Sequence, residues 1–362
     1  MSELAEWFGA QAPGYADRHG LGPAQCQALA AIARCRTPEM GGRMYRCGAC
    51  QRLEFAYHSC HHRACPRCGG NRAAEWTARQ TARLLPVPYF MVTFTVPEVL
   101  RPVFLREPKV MVDLLFNSAA GALQEVAAIP RHLGAQLGLI GVLHTWGRQL
   151  QYHPHVHFIV PGGGLAADGI TWRQTKKPDW LLPGEPVAAR FRHRMAEGLR
   201  AALPAEHAGI ANSCWRQKWV VDFEHVGRGE AAIKYLARYV SRTAISDKRI
   251  EALRPKYVRF RYQDSQTGER KRCQLSADEF MRRYLQHVLP NGLHRVRYFG
   301  WEHPAAHRRR RVVETLLAVV IVVRPPAEVI EWHLRCPHCE AFALVCIKNL
   351  PRARGPPERW AA

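Results

Sequence analysis

The sequence predicts a mixed α/β protein preceded by a small zinc-binding domain. Two observations predict it. Of 12 cysteines, seven lie between Cys26 and Cys68 and three between Cys336 and Cys346. The cysteine-poor middle interleaves short β-branched and aromatic runs with longer stretches of helical period. Hydrophobic residues make up 47% and charged residues 23% of the 362 positions, enough apolar material to exclude bulk disorder. That length allows about two or three domains. The composition shifts place them at 1–80, helical plus zinc-binding; at 81–305, carrying the chemistry; and at 306–362, a basic region with a partial zinc knuckle. The Pro/Arg-rich stretch Pro351 to Pro357 predicts a disordered tail.

The charge narrows the function. Lys and Arg number 52 against 30 for Asp and Glu, a formal charge of +22. Such a surface attracts polyanions, nucleic acid first among them. The longest apolar run, Thr315 to Val323, is far shorter than the roughly 20 residues of a membrane span. Met1 to Glu6 has neither the basic nor the apolar region of a secretory leader. The expectation is a cytoplasmic, nucleoid-associated protein with no membrane partner. Its cysteines would be reduced there, so clustered ones point to metal.

In the N-terminal region, Cys47-Gly-Ala-Cys50 and Cys65-Pro-Arg-Cys68 are two Cys-x2-Cys knuckles separated by fourteen residues. Four thiolates so spaced can surround one Zn²⁺ tetrahedrally, and the expected first site is Cys47, Cys50, Cys65 and Cys68. Cys35, Cys60 and His62 are candidates for a second zinc. Near the C-terminus, His333 precedes Cys336, Cys339 and Cys346, candidate ligands of a third.

The middle segment begins with Tyr89 to Val96, rich in β-branched and aromatic residues, which reads as a buried strand. Residues 107–127 read as a helix and Leu137 to Trp146 as a second strand. Then follows Tyr152-His153-Pro154-His155-Val156-His157, running into the turn-permitting Gly162-Gly163-Gly164. Strand alternation puts His153, His155 and His157 on one face, where they can converge on one cation. Imidazole suits a transition metal, and Mg²⁺ or Mn²⁺ fits if oxygen ligands complete the shell. The competing reading is three histidines on a solvated face.

Residues 187–203 read as another helix. Glu230 to Arg242 has helical spacing, with Ile233, Leu236 and Val240 as an inward stripe. Tyr235 and Tyr239, four residues apart, share one face, and Lys234, Arg238 and Arg242 add positive charge. Taken alone, this helix reads more simply as amphipathic with two core-flanking tyrosines. Tyr257 to Tyr262 alternates with Arg259 and Arg261, and a turn through Gly268 leads to a second short strand. Ser276-x-x-Glu279 is a capping box that opens a helix through Leu285. Arg295 to Phe299 reads as a last strand. Arg308 to Arg311 form a basic run that suits DNA phosphates, Arg308 and Arg309 foremost, or a solvated turn.

A metal-binding His strand, a helix with two tyrosines and a basic surface combine in one chemistry, the nucleophilic cleavage of a nucleic-acid strand. His155-Val156-His157 resembles the His–hydrophobic–His element of the HUH endonucleases. Tyr235-Leu236-x-x-Tyr239 with Ala244-Ile245-Ser246 resembles the two-tyrosine rolling-circle insertion-sequence transposases (the IS-ninety-one type). His144-Thr145-Trp146-Gly147, Phe280-x-x-Arg283-Tyr284-Leu285 and Arg297-Tyr298-Phe299-Gly300 resemble that family too, as does the cysteine pattern from Cys60 to Cys68.

The resemblance implies an antiparallel HUH sheet with flanking helices. It implies Tyr235 and Tyr239 as nucleophiles, and His155 and His157 as ligands of a catalytic Mg²⁺ or Mn²⁺. A third ligand is implied, with His153 first and His144 and Glu230 as alternatives. The implied partners are single-stranded DNA at transposon ends and target site, with host replication proteins besides. A rolling-circle replication initiator and a non-catalytic zinc-dependent DNA-binding protein are the alternatives.

Overall fold

A computed structural model describes residues 3–68, 70–241, 244–264, 267–319 and 334–352, with side chains undescribed at 70–72, 238, 241 and 247. The chain divides into two compact units. One comprises residues 71–244 and 289–319; the other comprises 1–70, 245–288 and 320–362. These boundaries do not coincide with the expected breaks at 80 and 305. Residues 245–288 group with 1–70 and not with the flanking middle segments, and the segment from 320 groups with them too. The tail beyond 352 and the apolar run beyond 319 lie outside the described residues.

The larger unit is built on a five-stranded antiparallel sheet. Its strands run in the order Val296–Gly300, Gly138–Trp146, Tyr152–Pro161, Tyr89–Thr95, Val221–His225. The three inner strands are rich in β-branched and aromatic residues, and they suit a sheet covered on both faces. On one face, Phe94 pairs with Val156 and Val92 with Phe158 across the strands. These residues pack on helices Pro108–Ala128 and Gly184–Ala202, with Phe94 and Phe191 edge to face at 4.9 Å.

On the opposite face, Ile140 pairs with Ile159. They form a second core with Trp76 of helix Gly70–Thr81, Ile233 and Leu236 of helix Glu230–Ser241, and Val313 of helix His307–Leu316. The inward stripe expected from the 3.6-residue period is what seats the tyrosine-bearing helix here.

Two glycines allow the sheet edge to close. Gly300 has φ +61°, and a Cβ there would lie 1.8 Å from the Leu137 carbonyl oxygen. A Cβ on Gly138 would lie 2.6 Å from the Trp301 ring. Just beyond, Glu302 is buried and accepts from Arg310, also buried, and from Arg83 at 2.9 Å. Arg310 also donates to the Arg83 carbonyl at 2.5 Å, which ties helix His307–Leu316 to the chain after helix Gly70–Thr81. One member of the basic run is therefore a buried structural ion pair.

The smaller unit gathers distant segments. Helices Glu3–His19 and Ala277–Leu285 meet through aromatic rings, Trp7 with Phe280 at 5.5 Å and Phe8 with Tyr284 at 4.5 Å. The Ser276 hydroxyl accepts from the Glu279 backbone N–H at 3.3 Å, the N-terminal half of the expected capping box. A three-stranded sheet, in the order Leu344–Leu350, Gly42–Cys47, Leu53–Tyr57, joins the C-terminal segment to the N-terminal one.

Candidate active site and metal centres

The register of the central strands places His144 directly opposite His155, and Thr93 opposite His157. His144, His155 and His157 are all buried, and one ring nitrogen from each lies within 4.8 Å of the others. His144 Nδ1 is 2.8 Å from His155 Nε2. His155 Nδ1 donates to the His153 carbonyl at 2.7 Å, which leaves Nε2 as its lone-pair nitrogen. His157 Nδ1 is 2.9 Å from the Thr93 hydroxyl, and its Nε2 is buried without a hydrogen-bond partner.

Burial, then the neighbouring His157, pushes the His155 pKa well below its ordinary value, and burial pushes His157 down to about 4. Both rings are therefore neutral near pH 7, as metal ligation requires. A buried nitrogen with no partner, beside two oriented imidazoles, is the donor set a divalent ion fits.

His153 does not join this set. Trp146 pairs with Tyr152 and His144 with His155, so two steps on one strand face three on the other. The extra residue is a β-bulge, and it breaks the strict alternation on which the expectation rested. His153 is half-buried, and its Nδ1 faces an Arg101 Nη2 at 3.0 Å. Burial and that guanidinium both lower its pKa. Glu230 stands exposed at the start of its helix, 4.0 Å from Lys234. His144, an alternative in the sequence reading, occupies the place expected of His153.

The tyrosines lie over the histidines. The Tyr239 ring centroid is 4.0 Å from that of His144 and 6.2 Å from that of His157. The Tyr235 ring is 6.2 Å from His157 and 5.1 Å from Tyr239. Tyr235 is 39% exposed, so a substrate can reach it. Of the expected DNA-binding residues, Lys234, Arg308 and Arg309 are exposed, and Arg309 reaches Gln136 at 3.1 Å. The Arg238 side chain and all of Arg242 lie outside the described residues.

The cysteines form two tetrads, and neither is the one expected. Cys65 and Cys68 join Cys35 and Cys60; Cys47 and Cys50 join Cys336 and Cys339. The cause is the sheet pairing of Gly42–Cys47 with Leu344–Leu350, which brings the C-terminal knuckle beside the first N-terminal one. Sulfur separations are 3.6 Å for Cys35–Cys68, Cys60–Cys68 and Cys47–Cys339, and 3.7 Å for Cys50–Cys336. Four sulfurs about 2.3 Å from a tetrahedral zinc stand about 3.8 Å apart, so both tetrads fit Zn²⁺.

The Cys50 backbone N–H points at Cys47 Sγ at 3.5 Å and holds that thiol down to about 7. Thiol donors from Cys35, Cys60 and Cys65 favour the thiolate at Cys68. His62 is outside the tetrads, with its Nδ1 accepting from the Ala64 N–H at 3.2 Å. Cys346 is exposed on its strand opposite Tyr45 and takes no part. His333 lies outside the described residues.

Comparison with known proteins gives the family. A family model described as a transposase zinc-binding domain matches residues 7–96, and one described as a putative transposase matches residues 138–311. These define the class: a transposase with a zinc-binding domain. The chain is 34% identical to the putative transposase y4qJ of Sinorhizobium fredii (strain NBRC 101917 / NGR234), over 99% of this chain and 98% of that protein. It is 29% identical to the transposase for insertion sequence element IS801 of Pseudomonas savastanoi pv. phaseolicola, over 78% of this chain and 71% of that one. No solved structure matches. The chain belongs to this family of insertion-sequence transposases, the IS91 type.

Proposed function

We propose that this transposase cleaves and rejoins single-stranded DNA at the ends of its element through a tyrosine nucleophile of the HUH type, by a rolling-circle route. The observation that carries the reading is the pair of tyrosine rings lying over three buried histidines. His144, His155 and His157 would hold a divalent ion, Mg²⁺ or Mn²⁺. When bound, the ion would neutralise the anionic phosphate oxygens and polarise the phosphorus.

A tyrosine oxygen attacks that phosphorus, and the bond to the 3′ oxygen breaks. The phenol proton is lost to solvent and the departing oxygen takes one up. The strand then carries a 5′-phosphotyrosine and a free 3′-OH. The phosphodiester energy is retained, so attack by another 3′-OH rejoins the strand without ATP. Two tyrosines permit two such transfers in succession. The His153 carbonyl accepts from His155 Nδ1 and so makes Nε2 the nitrogen with which His155 would hold the ion, while the Thr93 hydroxyl, 2.9 Å from His157 Nδ1, orients the His157 ring. Each cysteine tetrad would hold one Zn²⁺ and brace the smaller unit.

The test is a cleavage assay on labelled single-stranded DNA carrying the element's ends, with Mn²⁺ or with EDTA, resolved on a denaturing protein gel. A metal-dependent labelled adduct is expected, absent from the Tyr235→Phe/Tyr239→Phe double variant. DNA binding with no adduct in any metal would overturn the reading and leave a zinc-dependent DNA-binding protein.

A further inference from the structure

Residues 245–288 carry a sheet to which the cleavage reading gives no task. Its antiparallel strands Ile250–Leu253, Tyr257–Gln263 and Arg270–Ser276 lie in that order. Val258 and Phe260 face inward and are buried. The outward residues form four cross-strand pairs: Tyr257 with Ser276, Arg259 with Gln274, Arg261 with Arg272, and Gln263 with Arg270. Like charges placed directly opposite repel and cost stability. Glu251 lies 3.5 Å from Arg261 and 3.0 Å from Arg272, but one carboxylate against two guanidiniums leaves a positive excess.

Strand Ile250–Leu253 pairs only with Val258, Arg259 and Phe260. Beyond Phe260 the other two strands continue as a two-stranded ribbon.

We propose that this ribbon docks duplex DNA, with its outward arginines against the phosphates and its face in the major groove. The proposal rests on DNA being the substrate and adds a duplex-binding surface on the smaller unit. A major groove about 12 Å wide admits a two-stranded antiparallel ribbon. The outward side chains are long guanidinium and carboxamide groups, the types that pair with phosphates and base edges. Single-strand surfaces need aromatic rings on which bases stack. The one ring on this face is Tyr257, and the Arg259 guanidinium lies over it at 5.7 Å. The side-chain set therefore favours a duplex.

The experiment is fluorescence anisotropy with the full-length protein, a short labelled duplex and a labelled oligo(dT), each at several salt concentrations. Arg261→Ala/Arg272→Ala is expected to weaken duplex binding on the order of tenfold and to lower the slope of log K against log salt by about 2. Oligo(dT) binding should hold. Arg270→Glu, at an exposed site, should weaken duplex binding in the same direction, and it guards against a folding defect in the first variant. Arg200→Ala/Arg216→Ala, in the other unit, is the control for net charge.

Duplex affinity unchanged, or reduced equally by the control, would overturn the proposal. So would a loss confined to oligo(dT). The assay needs neither the divalent ion nor the tyrosines, so its outcome is independent of the covalent adduct.

Discussion

One strand irregularity decides which histidine joins the buried cluster. Strict alternation puts His153 beside His155 and His157, but the bulge between Tyr152 and His155 turns it toward Arg101. His144 takes the place because its strand pairs with the histidine strand in register. Removing one imidazole of three takes away a donor to the ion, whereas removing His153 leaves all three in position. His144→Ala should therefore weaken Mn²⁺ binding by tenfold or more and abolish adduct formation, while His153→Ala should keep both within a few-fold. Isothermal titration with Mn²⁺ and the adduct assay measure the two effects. Equal losses in both variants would return His153 to the ligand set. A strand pattern identifies His155 and His157, but it cannot register a partner strand, so His144 was legible only as an alternative.

At the scale of elements, helix His307–Leu316 looks in sequence like a basic surface segment. Three of its arginines, Arg308, Arg309 and Arg311, are exposed as that pattern implies. Arg310 instead turns inward onto Glu302, and both side chains are buried. Breaking a buried ion pair from one side can cost about 3–5 kcal/mol when the other charge is left alone. Arg310 keeps a second carboxylate, Glu314, at 2.8 Å, so the loss here falls below that range. Glu302→Gln should thus lower stability by about 1–3 kcal/mol, the cost of a lost charge-assisted hydrogen bond, and Arg308→Ala should leave it within about 0.5 kcal/mol of wild type. Circular dichroism during urea titration reads the difference. An unchanged midpoint for Glu302→Gln would show that Glu314 alone balances Arg310. The elements themselves were largely legible. Tyr89–Thr95, Gly138–Trp146, Pro108–Ala128 and Glu230–Ser241 all follow from side-chain period and β-branching. The inward turn of Arg310 was not, because four consecutive arginines have the same local pattern whichever one finds a buried carboxylate.

At the scale of the whole molecule, the two ends of the chain complete one metal centre. Cys47 and Cys50 meet Cys336 and Cys339 through a sheet that joins residues 42–47 to 344–350. The expected stoichiometry is two zinc ions per chain. Cys336→Ser should release one and leave the other, and Cys65→Ser should do the reverse. The double variant should release both. Elemental analysis of purified protein counts the ions. A loss of both zincs from Cys336→Ser alone, with the fold intact by circular dichroism, would mean that the tetrads are not independent centres. Among the described residues no helix is long and apolar enough to cross a membrane.

The sequence by itself determined the chemistry on offer: paired Cys-x2-Cys knuckles, histidines alternating along an apolar strand, two tyrosines one helical turn apart, and a net charge of +22. These are short-range patterns, written in residue type and in periods of two or 3.6. Only the tertiary structure decided which groups meet. Cys50 and Cys65 are nearer in sequence than Cys50 and Cys336, yet the sulfurs of the second pair lie 3.7 Å apart. The physical reason is strand pairing. Backbone hydrogen bonds join segments without regard to their separation along the chain, and side-chain period carries no record of which strand the partner will be.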